Sequence, residues 1–210
     1  MNVFIFGASG TVGSALVQEA LRRGHQVTAA ARNATGLTAA GVKAVQADAT
    51  SEPEVRAAVA GHDAVIAAVS GRKSGHDTVP AIARNLLSAL PAAGVNRLLW
   101  VGGAGSLEVA PGVRLVDTPN FPEAYKDEAL GQGRALDVFR ASASPLNWTC
   151  VSPAALLAPG ERTGQYRTGG DQLLVDAEGN SRISVADFAV AMIDEMERNA
   201  HPRTRITVAY

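Results

Sequence analysis

The run Gly7-Ala8-Ser9-Gly10-Thr11-Val12-Gly13 carries the clearest chemical signal in this chain. It follows a short apolar segment and precedes an amphipathic one, so it reads as a strand turning into a helix. Main-chain N–H groups at a helix N-terminus, with the helix dipole behind them, suit a diphosphate. Glycine at 7 and 10 keeps Cβ atoms out of its way, and glycine at 13 lets the helix lie close to the sheet. Gly7, Ser9, Gly10, Thr11, Val12 and Gly13 are therefore candidate diphosphate contacts. The plain alternative is a tight turn that binds nothing. Because the chain has 21 glycines, the spacing alone says little, and the strand–turn–helix order supplies the specificity.

Arg32 stands nineteen residues after Gly13, at the tip of a second expected strand, Gln26–Ala31. In a dinucleotide site an acidic side chain there holds the two ribose hydroxyls, whereas a guanidinium matches a 2′-phosphate. The local sequence, Ala29-Ala30-Ala31-Arg32-Asn33, offers no carboxylate. NADP(H) is thus expected over NAD(H), unless Arg32 is only a solvated strand-end residue.

The elements that must position these groups follow from the rhythm of the chain. Short apolar runs alternate with Ala-rich amphipathic segments, the pattern of parallel strands covered by helices on both faces. The expected fold class is α/β: a Rossmann-like doubly wound parallel sheet with a small C-terminal substrate lobe. Strands are expected at Asn2–Phe6, Gln26–Ala31, Val42–Gln46, 63–69, Arg97–Val101 and 147–151, with a further one at 172–175 and an edge strand at 205–209. Helices are expected at 11–23, from a Ser51/Glu54 capping box to Gly61, from Asp77 or Thr78 to Gly94, at 121–143 and at 184–198. Gly131 and Gly133 weaken the fourth helix and suggest a break in it. One domain spans residues 1–210, its lobe drawn from 102–126 and 153–185, segments that otherwise read mostly as loop.

Composition removes several classes. Nineteen basic and 20 acidic residues give a net charge of −1 without long blocks of either sign, so no nucleic acid partner is expected. The longest stretch free of Asp, Glu, Lys and Arg, 141–160, holds prolines at 145, 153 and 159 and cannot span a bilayer as one helix. No basic residue precedes the first apolar run, which argues against a signal peptide. The single cysteine, Cys150, fits a reducing compartment, and a cytoplasmic location is expected. No His, Cys and carboxylate grouping has metal-ligand spacing, so no metal is expected. Oligomeric state is not legible.

Taken with Arg32 and Gln46-Ala47-Asp48-Ala49, the glycine run resembles an atypical short-chain dehydrogenase/reductase. More narrowly, the chain resembles the NAD(P)H-binding group of NADH-flavin reductase-like, biliverdin reductase B-like and NmrA-like proteins. The likeness extends through Val101 to Leu107, Asn147-Trp148-Thr149, Ser152-Pro153-Ala154, 159–166 and 183–189. It implies that Asp48 and Ala49 flank an adenine, the Asp48 carboxylate taking its amino group; an alternative for Asp48 is a turn or cap residue. It also implies that Ala68, Val69 and Ser70 pass the ribose and pyrophosphate, and that Gly102, Gly103 and Pro153 lie near the nicotinamide.

Ordinary members of that superfamily use a tyrosine with a lysine four residues on. Here Tyr125 and Tyr166 are followed at that spacing by Ala129 and Gly170, and the chain ends at Tyr210. Alcohol and ketone chemistry by that route loses its support. Hydride transfer to a flavin or quinone-like acceptor asks mainly for positioning, because the acceptor is its own electron sink. The expected activity is therefore NADPH-dependent reduction of such a small-molecule acceptor, the alternative being a non-catalytic NADP(H) sensor of NmrA-like type. Acceptor-side candidates are Ser106, as a hydrogen-bond donor or turn cap, Tyr125, as a stacking or packing ring, and Lys126, as an anion contact or solvated lysine. His76, Arg162 and Tyr166 lie in loops whose roles stay open, Arg162 either closing on the acceptor or pinning its own loop.

Overall fold

Strands that are apolar at every position can be satisfied only if both faces of their sheet are covered. β1 (Asn2–Phe6) shows this directly, since Val3 and Ile5 join one apolar core while Phe4 and Phe6 join the other. The computed structural model describes residues 1–32, 41–72 and 75–210. Asn33, which follows Arg32 in the sequence, and Lys73 and Ser74, which precede His76, lie outside them.

α1 (Thr11–Arg22) carries the chain to β2 (Gln26–Ala31), and β3 (Val42–Gln46) follows. Then come α2 (Glu52–Val59), β4 (Ala64–Ala67), α3 (Thr78–Ala92) and β5 (Arg97–Val101). A hairpin of β6 (Glu108–Ala110) and β7 (Val113–Arg114) leads into α4 (Glu123–Ala141) and β8 (Asn147–Pro153). The last part holds β9 (Leu156–Ala158), β10 (Arg167–Gly169), β11 (Arg182–Ser184), α5 (Val185–Arg198) and β12 (Thr204–Ala209).

The main sheet has eight strands in the order β3-β2-β1-β4-β5-β8-β12-β10, all parallel except β10, which runs antiparallel to β12. α1 and α5 pack on one face, and α2, α3 and α4 on the other. Strand order reverses between β1 and β4, and ligands of such sheets bind outside the carboxyl ends of the strands at that reversal. The fold is Rossmann-like, as expected. Among the described residues no helix is long and apolar enough to cross a membrane.

Several local expectations fail for tertiary reasons. The capping box does not form: Ser51 makes no side-chain cap, and the Glu54 carboxylate accepts the Asp48 N–H at 3.1 Å instead. α4 runs unbroken through Gly131 and Gly133, because a Cβ at 131 would lie 2.8 Å from the His76 carbonyl oxygen, so close packing outweighs poor helix propensity. Residues 172–175 form no strand. Gln172 makes only an isolated bridge to Glu108, and β10 supplies the outer strand, leaving β12 one place inside the edge.

A buried ion pair secures the last helix beneath the sheet. Arg97 donates to Thr149 Oγ1 at 2.7 Å and to Glu195 Oε1 at 2.9 Å, while His201 Nδ1 lies 2.7 Å from Glu195 Oε2. Burial pulls the Arg97 pKa down, and Glu195 opposes that shift. Replacing Glu195 with Ala would leave a buried guanidinium without its counter-charge. The expected loss is about 3–5 kcal/mol in urea unfolding, and an unchanged midpoint would contradict the pairing.

Candidate functional site

Gly7 has a φ of +73°, and a Cβ there would lie 2.0 Å from the carbonyl oxygen of Ala68, just past β4. A Cβ on Gly13 would lie 2.1 Å from the Gly7 carbonyl oxygen. Both glycines are thus demanded by the backbone's own packing, before any ligand is considered. Gly10 donates its N–H to Gly7 O at 3.0 Å and caps α1 without a side chain. The first-turn amides of Thr11, Val12 and Gly13 have no helical acceptor, and no acidic residue stands in that turn. Three amides and the positive end of the dipole therefore face the sheet's reversal point, a cradle that suits a diphosphate. Ser9 is exposed at the tip of the turn.

Around this cradle the residues that the sequence pointed to fall into two groups. Ala8 N–H donates to Ala30 O at 3.2 Å, which ties the turn to the end of β2, and exposed Arg32 leaves the sheet just beyond it. Past β3, Asp48 Oδ1 accepts from Thr50 N and Oγ1 at 2.9 and 2.8 Å, so this oxygen serves the local turn. Ala49 is buried in the α2/α3 core beside Asn85, whose Nδ2 donates to Thr50 O at 2.6 Å. An adenine contact by Asp48 would use its other carboxylate oxygen.

On the opposite side, Gly102 donates to Val151 O at 2.9 Å, and its Cβ would lie 2.8 Å from Cys150 Sγ. Pro153 is buried and registers with Val208. Gly103 faces Gln132, a buried residue that joins three elements. Gln132 Oε1 accepts from Trp100 Nε1 at 3.0 Å, and its Nε2 donates to Val69 O at 3.0 Å and Glu128 Oε1 at 3.2 Å. Glu128 in turn accepts the Gly71 N–H at 2.8 Å. The loop after β4, with Val69 and exposed Ser70, is therefore held by α4. Sequence reasoning missed Gln132 and Glu128. The available signal was a glutamine on the buried stripe of Leu136 and Phe139.

The acceptor-side candidates are not brought together. Ser106, half-buried, meets Arg205, whose Nη1 lies 3.4 Å from its Oγ. Its Cβ faces Gly133, where a Cβ would lie 3.7 Å away. Tyr125 lies eight residues earlier on α4, about 12 Å along the axis, and is 53% exposed. The Arg72 guanidinium covers its ring at 5.4 Å, a cation–π pair between the β4 loop and α4. Lys126 is exposed, and its Nζ lies 3.6 Å from Glu123 Oε2. His76 is half-buried, with Nδ1 4.0 Å from Asp127. Arg162 and Tyr166 lie on the α1/α5 side. There Arg162 grips Glu19 by two bonds of 2.7 Å, and Tyr166 donates to Asp194 at 2.5 Å. Burial, helped by Asp194, pushes the Tyr166 phenol up. This segment is pinned, with Thr163 Oγ1 and Gly164 N also donating to Asp187.

A doubly wound sheet with a glycine-lined amide cradle at its reversal point defines a dinucleotide-binding domain. Residues 7–196 match the family described as NAD(P)H-binding, and the chain belongs to that family. It is 41% identical to the protein YwnB of Bacillus subtilis (strain 168) over 99% of this chain and 98% of that one. Among solved structures, a Burkholderia pseudomallei protein named a "putative exported protein" shares 46% identity with a TM-score of 0.92, each chain being covered in full. A Streptococcus pneumoniae TIGR4 protein named a "putative NADH-flavin reductase" shares 36%, with a TM-score of 0.86 over 100% of this chain and 99% of that one.

The Glu19 cluster gives a pH signature. Hydrogen bonds from Arg162 first, and from Arg23, hold the Glu19 carboxyl down at about 2 against the opposing effect of burial. Its folded pKa thus lies below the ordinary 4.5, so its contribution to stability is full above the unfolded value and fades as pH falls toward 2. Glu19→Gln should flatten the acid limb of a stability–pH curve in that window. An acid limb identical to wild type would contradict the pairing.

Proposed function

We propose that this protein is an NADPH-dependent oxidoreductase that reduces a flavin or quinone-like small molecule. The observation that carries this reading is the cradle of Thr11, Val12 and Gly13 amides beside the end of β4. Arg32, exposed where β2 ends, supplies a guanidinium for a 2′-phosphate, and Asp48 and Ala49 border the adenine beyond it. Ala68, Val69 and Ser70 run beside the ribose and diphosphate, held from behind by Gln132. Gly102, Gly103 and Pro153 form the wall against which a nicotinamide lies. When bound, NADPH supplies hydride from its nicotinamide C4.

The chain's own part is then to orient the two rings and keep them in contact, since a conjugated acceptor spreads the arriving charge itself. The absence of a Tyr-x-x-x-Lys pair fits that division of labour. So does the name of the Streptococcus pneumoniae relative. Ser106 is the acceptor-side donor in this reading, and Tyr125 and Lys126, exposed farther along α4, are given no contact with the acceptor. Cys150 is a packing residue, its thiol pushed up to about 12 by burial. A lone buried thiol is compatible with the cytoplasm, the compartment we assign.

Wild-type protein should oxidise NADPH in the presence of riboflavin, FMN, FAD or small quinones, read from the nucleotide's absorbance. Tight NADPH binding without turnover on any of them would replace this reading by that of an NADP(H)-responsive regulatory protein. Arg32→Asp should weaken NADPH by about 2 kcal/mol, or about thirtyfold in Kd, while sparing NADH. Unchanged affinities for both nucleotides would refute the role of Arg32.

A further inference from the structure

Arg205 is the second residue of β12, after exposed Thr204, and the strand's later members Ile206, Val208 and Ala209 are buried and apolar. Its own side chain is only 2% exposed, an expensive place for a guanidinium that has no task. Nε donates to Asp171 Oδ1 at 2.6 Å and Nη2 to Asp171 O at 3.2 Å. Nη1 has longer contacts, 3.4 Å each, to Ser106 Oγ and Ser152 Oγ. Asp171 is shared, because Arg140 Nη2 also lies 2.6 Å from its Oδ1. Two guanidiniums therefore face one carboxylate, and the cluster keeps a net positive charge.

This charge is not at an arbitrary place. Arg205 registers with Cys150, and a Cβ on Gly102 would meet Cys150 Sγ at 2.8 Å and Ser152 Oγ at 3.1 Å. The guanidinium thus stands behind the carboxyl ends of β5 and β8, the wall proposed above for the nicotinamide and its acceptor. A serine oxygen that accepts a hydrogen bond from Arg205 must direct its own hydrogen elsewhere, and the facing residue on α4 is Gly133, which offers no side chain.

We propose that Arg205 is a positioning residue for hydride transfer, turning the Ser106 hydroxyl outward as a donor and lending it a positive field. The inference rests on the reading of this chain as a reductase. The acceptor class is a conjugated ring bearing a carbonyl oxygen, a quinone or the flavin isoalloxazine. Such an acceptor takes the hydrogen and both electrons of the broken C4–H bond, leaving NADP+. It becomes an anion whose charge resides largely on that oxygen, and it then takes a proton from solvent. A preorganised donor aimed at the oxygen that gains charge favours the transition state over the ground state.

The test compares wild type, Ser106→Ala, Arg205→Met and the double variant, with a small quinone and FMN as acceptors. Expected for each single variant is a fall in kcat of about tenfold or more, with NADPH Kd unchanged. The double variant should be no worse than Arg205→Met by more than about twofold, because the two residues act as a unit. Multiplying effects, or a fall in NADPH affinity and thermal stability without a fall in kcat, would make Arg205 merely structural. If Arg205→Met does not fold, Ser106→Thr decides: it keeps the hydroxyl and should restore most of what Ser106→Ala loses, whereas equal kcat in all three overturns the inference. An active wild type with unaffected variants overturns this inference alone, while an inactive wild type overturns the proposed activity along with it.

Discussion

The contact between Gly7 and the Ala68 carbonyl sets the geometry of everything around it. A left-handed residue with no Cβ, pressed against the end of β4, forces the chain to leave β1 sharply, and Gly13 lets α1 start directly over that turn. The result is a helix whose first amides point at the place where strand order reverses. No side chain could perform this role, because any Cβ at position 7 or 13 would enter a backbone atom's volume. The shape of the cradle is therefore a property of the backbone.

Behind that cradle, polar groups are arranged as supports. Gln132 links Trp100 on β5 to the main chain after β4, so the two strand ends that flank the crevice are tied to one side chain of α4. Glu128 adds a second hold on the same loop at Gly71. Arg205 stands behind the next wall, with Asp171 fixed between it and Arg140. Gln132 and Arg205 are buried and hydrogen-bonded to other elements, while Asp171 and Arg140 stay partly exposed at the edge; buried, satisfied groups of this kind favour rigidity over adaptability. A rigid frame suits a reaction whose demand is the relative placement of two rings.

The frame itself was largely legible in the sequence. β1, β2, β3 and β5 have the bounds read from their sequence; β1, β2 and β5 are nearly buried throughout, and such strands announce themselves locally, whereas β3 is a largely exposed edge strand. The glycine turn was legible for the same reason, being contiguous and placed between a strand and a helix. What escaped depended on partners outside the patterns read, most of them distant in sequence. Ser51 and Glu54 had the spacing of a capping box, yet Glu54 met the Asp48 amide first. Gly131 and Gly133 suggested a break, yet Gly131 marks close packing on His76, and at Gly133 a Cβ would make only an ordinary contact with Ser106. Gln132 and Val69 are 63 residues apart, and Arg205 and Ser106 are 99 apart. No local pattern joins such pairs. For Arg162 the sequence left open whether it closes on an acceptor or pins its own loop; its partner Glu19, buried on α1 and 143 residues away, could not be read locally.

Backbone amides are the claimed ligands of the nucleotide, so they are what should be measured. Hydrogen exchange of the Thr11, Val12 and Gly13 amides, followed by NMR with and without saturating NADP+, reads them individually. Marked slowing at these three positions on binding is the predicted result. Binding that leaves them unchanged while protecting another surface would contradict the account.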